Sequence, residues 1–487
     1  MRACRLAVLI VMLNSSVFAH VGSPNVYLES DAGPYHLLLS INPPAMIPGV
    51  AQVQARVTSG TVNSISITPV YVNGKDQGLP PTPDLMQPSA DSQWFTGKVW
   101  LMESGSWEVR VEVSGPQGIG RLAVPVPAFA RRTLPMQKAL GILLFGLMLL
   151  LSIGIISIAG AAAREGGLRG GTSPSPQNRR LGRLAMAISA ALVATVLALG
   201  NWWWNAQAAD LKQGMIYSAP PLTVAFDGKD QLSLRMNENF WHKSRKDQWS
   251  MTLIPDHGHL MHAFLLRMPT MDRFYHLHPE QVDPEQANDG SFTLKLPSIP
   301  AGKYKIFADI VRGTGFPETM VSEIDLPDVK GEAFSGDDSG VDASVERSSA
   351  TTNTSPVGDG GRMVWEQDGA ALKAGQVAWL RFRVEDADHK PANDLEPYMG
   401  MAGHAEFVKS DFSVFAHIHP AGSVPMASLM IAQKDSGLPM DHSSMHALTN
   451  EVSFPYGFPQ PGDYRLFVQV KRHGEVETGV FDAHVGD

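Results

Sequence analysis

Cysteine is all but missing. The 487 residues contain one, Cys4, and it falls inside an N-terminal leader. A mature chain without thiols closes no disulfide and offers no thiolate as a zinc ligand or nucleophile, so any bound metal must come to His, Met or carboxylate. Basic residues are also in deficit: 39 Lys and Arg stand against 48 Asp and Glu, a formal charge of −9. That balance disfavours a general nucleic-acid-binding role. The sequence carries no P-loop, no dinucleotide-binding glycine fingerprint and no Ser-His-Asp order, so no catalytic residue is assigned. What it has in quantity is Gly (45) and Pro (35), which suit turn-rich β architecture, and an unusual 16 His and 22 Met. The length predicts two to four folding units.

Arg2 and Arg5, the apolar run at 6–13 and the ending Val17-Phe18-Ala19 predict a secretory signal peptide over 1–19, with His20 as the mature N-terminus. Residues 140–163 and 184–204 carry no charge, and each is long enough as a helix to cross a hydrocarbon core of about 30 Å. The second ends in Trp202, Trp203 and Trp204, where an interfacial aromatic belt belongs. Together they predict a transmembrane hairpin over 135–206. Its connecting loop holds Arg164, Arg169, Arg179, Arg180 and Arg183 against the single acid Glu165, which places that loop in the cytoplasm and the flanking segments outside. The expected location is the bacterial cytoplasmic membrane, with the large domains on the periplasmic side.

The exported parts alternate apolar and polar residues over short runs, as at 51–57, 64–72 and 107–113, between Pro and Gly turns. The expected fold class is all-β, with immunoglobulin-like sandwiches over 20–130, 215–328 and 362–487. Residues 329–361, rich in Ser, Asp, Gly and Thr, read as a flexible linker. The second and third segments repeat one another. Met261-His262-Ala263 matches Gly403-His404-Ala405, and Phe274-Tyr275-His276-Leu277-His278-Pro279 matches Phe415-Ala416-His417-Ile418-His419-Pro420. A single His thus precedes an HxHP element in both copies.

On a strand, side chains at i and i+2 share a face, so His276 with His278 and His417 with His419 can each present two imidazoles. His262 and His404, from adjacent strands, would complete three-nitrogen sites suited to copper or, less well, zinc. The first copy adds His257 and His259, and the second adds Met399 and Met401, whose soft thioethers favour Cu(I). A further candidate loop interleaves Met440, His442, Met445 and His446 with Asp and Ser. Cleavage before His20 would leave an α-amine beside an imidazole, a chelate that with His36 could brace Cu(II). Packing is the competing role for each of these residues, since lone methionines and histidines commonly fill cores.

With Gly33-Pro34-Tyr35, Pro48-Gly49 and the run from Ser104 to Val109, the N-terminal segment resembles the YtkA-like and FixH-like periplasmic domains, which implies an immunoglobulin-like fold over about 110 residues. The exposed N-terminal His is similar to the start of the periplasmic copper-resistance C family, and carries that family's copper site over to His20 alone. The two later copies, through Leu260-Met261-His262, His276-Leu277-His278-Pro279 and the run from Tyr398 to Ala405, resemble uncharacterised bacterial exported domains, which implies fold and location without an activity. The function expected from the residues is a membrane-anchored copper-binding protein, for tolerance or for delivery to a cuproenzyme, and not an enzyme. A metal-free docking module of an envelope complex and a copper oxidoreductase with an N-terminal histidine brace are the alternatives. The partners expected are the lipid bilayer and a cuproenzyme.

Overall fold

The computed structural model describes residues 25–72, 80–91, 93–237, 252–283, 290–343, 351–358, 360–367, 369–438 and 448–487. The signal peptide, His20 and the 440–446 loop lie outside the described residues. The chain divides into two compact units, one containing the strands up to Phe129 and from Ser218 onward, the other Ala130–Tyr217.

The strand-bearing unit is antiparallel β throughout, six sheets that pair around three apolar cores. In the first pair, the strand Gly49–Ser59 keeps a strict alternation, with Ala51, Val53 and Ala55 buried and Gln52 and Gln54 in solvent. That is the pattern of a sheet with one wet face. The second pair sets a sheet of Leu222–Phe226, Gln231–Met236 and Ser291–Lys295 against one built on His262–Arg267, Arg273–Leu277 and Gly302–Arg312. The third sets Gly361–Glu366, Val377–Glu385 and Glu451–Gly457 against His404–Lys409, Phe415–Ile418 and Gly462–Arg472.

The repeat read from the sequence is a repeat of register. His262 lies opposite Asp309 and Ala263 opposite Leu277; in the second copy His404 lies opposite Gln469 and Ala405 opposite Ile418. These strands do not have a wet face. Ala263 and Leu265 enter one sandwich core and Ala405 and Phe407 the other, while Phe264, Leu266, Phe274 and Phe307 meet Val408, Phe412, Phe415 and Phe467 in a separate apolar cluster between the copies. The two repeat sheets therefore pack face to face. Phe274 stacks on Phe467 with centroids 4.3 Å apart and planes 12° apart, and its counterpart Phe415 stacks on Phe307 at 4.3 Å and 10°. Equivalent pairs with equal geometry mark a local two-fold. Arg465 crosses the same interface, donating to both oxygens of Asp482 and, at 3.3 Å, to the carbonyl of Met271.

One expectation is corrected here. The 329–361 stretch is no free tether: Ser339–Asp342 pairs with Arg273–Leu277 in the first repeat sheet, and Thr354–Val357 opens the following sheet against Gly361–Glu366. Backbone pairing needs no apolar side chains, so polar composition concealed it. After His419 the chain turns to the N-terminal sandwich. The helix Met426–Asp435 follows, and Val424 and Leu429 enter the N-terminal core. The preceding residues pair with the first strand through Glu29 N–H to Ala421 O (2.7 Å) and Ser423 N–H to Tyr27 O (3.0 Å).

The second unit is a pair of helices, Lys138–Glu165 and Pro176–Met215, both long and apolar enough to cross a membrane. The second begins earlier than the apolar stretch, taking Arg179, Arg180 and Arg183 into its first turns and leaving only 166–175 as the connection. Gly160 sits against Met186 and Gly182, where a Cβ would collide. Small residues at that crossing let two apolar helices approach closely. Leu143, Leu150, Ile158, Leu192 and Trp202 point outward, the distribution of helices solvated by hydrocarbon rather than water.

Candidate metal centre

The face-to-face packing gathers eight histidines, five from the first copy and three from the second. His262 and His276 project from paired strands toward the second copy, as do His404 and His417 toward the first, and His278 and His419 follow at the strand ends. The ring separations obey the local two-fold. His262–His278 and His404–His419 are 4.9 and 5.0 Å, His262–His276 and His404–His417 are 5.4 and 5.5 Å, and both HxH pairs are 4.7 Å apart. Period-2 alternation thus does hold each HxH pair on one face.

His257 and His259 arrive on a tight turn. Asp256 and His259 exchange both backbone hydrogen bonds, at 2.9 and 3.0 Å, with φ of 51° at His257 and 88° at Gly258. Positive φ at both central residues is the type I′ turn, which makes the glycine the natural occupant of its second position. The second copy builds the same turn from Tyr398-Met399-Gly400-Met401, with φ of 49° and 78°. Both turns start six residues before the strand histidine, so His257 and His259 are the counterparts of Met399 and Met401.

Two sets of three ring nitrogens converge to within 4.8 Å: His257 with His404 and His419, and His262 with His276 and His278. The first set draws from both copies, the second from one. The hydrogen bonds behind the rings decide where the lone pairs point. His257 Nδ1 faces Met399 O at 2.9 Å and His419 Nδ1 faces Val424 O at 3.1 Å. A carbonyl can only accept, so both Nδ1 atoms carry the proton. Both Nε2 atoms then present lone pairs, 3.3 Å from one another.

The second set repeats this. His262 Nε2 donates to Asp256 O (3.1 Å), and His276 Nδ1 donates to Gln469 Oε1 (2.9 Å), whose amide nitrogen is turned toward Ser339. His262 Nδ1 and His276 Nε2 are thereby left as lone pairs at 3.1 Å. His278 Nδ1 donates to Asp338 Oδ1 (2.8 Å), leaving its Nε2 without a partner. Lone pairs at such distances repel unless a cation lies between them. His404 has no hydrogen-bond partner at either nitrogen, nor has His417 at Nε2, Asp309 at Oδ1 or Glu406 at either oxygen. Buried polar atoms left this way cost about 1–3 kcal/mol each, so their concentration in one place calls for a ligand.

Burial disfavours the charged form in six of the rings. It pushes His262, His276, His404 and His419 well below the ordinary imidazole range, with repulsion from neighbouring rings adding to it. Burial also lowers His257 and His259. Burial, with Asp309 nearby, raises Glu406 well above the usual carboxyl range, so it is a neutral acid. Neutral imidazoles are the form that binds metal.

Met399 and Met401 are buried in their turn beside this centre. His36 is not part of it. Its Nδ1 lies 2.6 Å from Asp31 Oδ1 and its Nε2 3.5 Å from Glu29 Oε1, and these carboxylates, Glu29 foremost, lift its pKa to about 9 against partial burial. At neutral pH the ring is an imidazolium with no lone pair for a brace with His20. The predicted NMR titration of His36 has its midpoint near 9, not 6.5. Its ion pairs contribute fully below pH 6.5 and are lost as pH rises through about 9.

Sequence reading missed the groups behind the ligands: Asp256, Asp309, Asp338, Gln469 and Tyr398. The signal available for Asp309 and Gln469 was their common place two residues after Phe307 and Phe467 in the repeat.

A family model described as "Domain of unknown function (DUF8832)" matches residues 356–487, the second copy. No curated protein matches. Among solved structures, the chain is similar to an ICAM-5 D1–D4 ectodomain fragment at 9% identity, covering 93% of this chain and 77% of that one, with a TM-score of 0.15. It is also similar to a Salmonella alpha-2-macroglobulin at 9% identity, covering 95% of this chain and 23% of that one, with a TM-score of 0.20.

Proposed function

We propose that this chain is a membrane-anchored copper-binding protein of the bacterial cell envelope, holding copper at the interface of its two repeat sandwiches for tolerance or for delivery to a cuproenzyme. The observation that carries the reading is the pair of lone-pair confrontations, His257 Nε2 to His419 Nε2 at 3.3 Å and His262 Nδ1 to His276 Nε2 at 3.1 Å, each backed by donors that fix the tautomers. The ligands are His257, His404 and His419 for one ion and His262, His276 and His278 for the other. Imidazole suits copper and zinc alike; the buried Met399 and Met401 tilt the choice toward Cu(I). The apolar helix pair serves as the anchor, and the basic residues between its spans favour placing the strand-bearing unit, with its three immunoglobulin-like sandwiches, on the periplasmic side.

The test is metal content of the full chain in detergent after separate loading with Cu(I), Cu(II) and Zn(II) and desalting, read by elemental mass spectrometry. Two copper ions per chain are expected, falling to one in His404→Ala and one in His276→Ala. Retention of no metal by the unaltered chain would overturn the assignment, and a preference for zinc would overturn the choice of copper.

A further inference from the structure

The two triads are alike in geometry and in burial, and differ in what covers them. The roof of the His257, His404 and His419 triad is the segment running from His419 into the helix Met426–Asp435. Val424 O accepts from His419 Nδ1, and Ala427 N–H donates to the buried Asp256 Oδ1 at 2.7 Å. The same segment is pinned from behind by the first strand of the N-terminal sandwich, through the Glu29 and Tyr27 backbone bonds. His257, His404 and His419 side chains are accordingly at most 4% exposed. The His262, His276 and His278 triad is as deeply buried, the His278 side chain being 5% exposed, but it is bordered by a partly exposed ring. His259 stacks on His278 with centroids 3.8 Å apart, its side chain is 31% exposed, and its Nε2 lies 3.7 Å from Asp337 Oδ2. Asp337 and Asp338, both partly exposed, lie at this edge, Asp337 also paired with Lys471 Nζ at 3.4 Å, so two carboxylates stand against one ammonium. Acids at a mouth draw cations toward it.

Between the triads stands His417, in neither of them. Its ring is 5.6 Å from that of His262 and 5.5 Å from that of His404, and its Nε2 has no hydrogen-bond partner. Its Nδ1 faces Asp309 Oδ2 at 3.6 Å.

We propose that the centre is a two-station relay: a metal ion is taken up past His259 into the outer triad of His262, His276 and His278, and moves by way of His417 to the enclosed inner triad of His257, His404 and His419. The inference rests on the metal reading above. Each step exchanges one imidazole for another around the ion, with no change of oxidation state. The exchange needs no co-reactant. The outer station is thus the loading site and the inner one the store.

The experiment is stopped-flow uptake of Cu(I), presented anaerobically in a weak chelator buffer, by the full chain in detergent. His404→Ala isolates the outer station and His278→Ala compromises it. Filling of the unaltered chain is expected in a fast and a slow phase, the slow one missing in His404→Ala. His259→Ala should slow both phases more than tenfold, and His417→Ala only the slow one. His473→Ala, on an exposed ring elsewhere, should alter neither. A His417→Ala variant slowed in both phases beside an unaffected His259→Ala would place the way in at Asp309 and overturn the relay. So would inner filling at the unaltered rate in His278→Ala. Absence of any retained copper in the unaltered chain is a different result, which removes the metal reading itself.

Discussion

Taken from pH 7 to pH 5.5 without metal, the protein is expected to lose stability, set against the about 5–15 kcal/mol that holds a typical domain together. His262, His276, His404 and His419 are buried, and their folded pKa values lie well below 6.5. Above pH 6.5 neither the folded nor the unfolded chain protonates them, and they contribute no pH dependence. Below it the unfolded chain takes up protons that the folded chain refuses. A ring that refuses the proton entirely in the folded chain costs about 1.4 kcal/mol at one unit below its unfolded pKa. Glu406 works in the opposite direction. Its folded pKa is raised, so it disfavours the folded state increasingly as pH rises above about 4.5, and acidification relieves part of that cost. His257 and His259, lowered to a smaller degree, add to the loss.

The measurement is a chemical-denaturation midpoint at pH 7.0, 6.0 and 5.5, with and without saturating copper. A metal ion coordinated by the rings takes the place of the missing partners, and at a free concentration a thousand times Kd it stabilises by about 4 kcal/mol per site. Copper should therefore largely cancel the acid loss. A flat profile without metal would mean that the rings are hydrated and titrate freely. In His404→Ala the acid loss should shrink by about one quarter of the histidine contribution, because one of the four refusing rings is gone.

What could be read from the sequence and what could not follow from where the physics is local. Strands with one wet face announced themselves: the alternation at 64–72 became the strand Ser64–Val72. The HxHP elements were legible because period 2 fixes which side chains share a face. The packing of one repeat on the other was not, because His262-Ala263-Phe264-Leu265-Leu266 is apolar on both faces, and such a run does not say what covers each. The same holds for the ligand sets. Spacing grouped His404 with His417 and His419, whereas the structure completes that triad with His257, from the other copy, and leaves His417 between the two triads. Only the tertiary arrangement could exchange those partners. Ser339–Asp342 was hidden for the opposite reason, since its contribution to a sheet is carried by backbone bonds that composition does not register.

Because one triad spans the two copies and the other belongs to one, loosening the interface should empty them unequally. Phe307→Ala removes the ring stacked at 4.3 Å on Phe415, and Phe467→Ala removes its equivalent on Phe274. All four rings are buried. Deleting such a side chain costs about 3–5 kcal/mol, of which about 0.5–1.5 kcal/mol is the stacking itself. Either substitution leaves Ala263, Leu265, Ala405 and Phe407 in their own sandwich cores, so the expected product is a folded chain with a weakened contact between copies. In that chain His257 no longer meets His404 and His419 in a fixed geometry, and the mixed triad should lose its ion. His262, His276 and His278 sit on adjoining strands of one sheet and should keep theirs. Copper content is thus expected to fall from two ions to one in both variants, together with a lower denaturation midpoint. A variant that loses the midpoint and retains two ions would show that the mixed triad does not depend on the interface, and loss of both ions would show that the outer triad draws on the second copy through Gln469 as well.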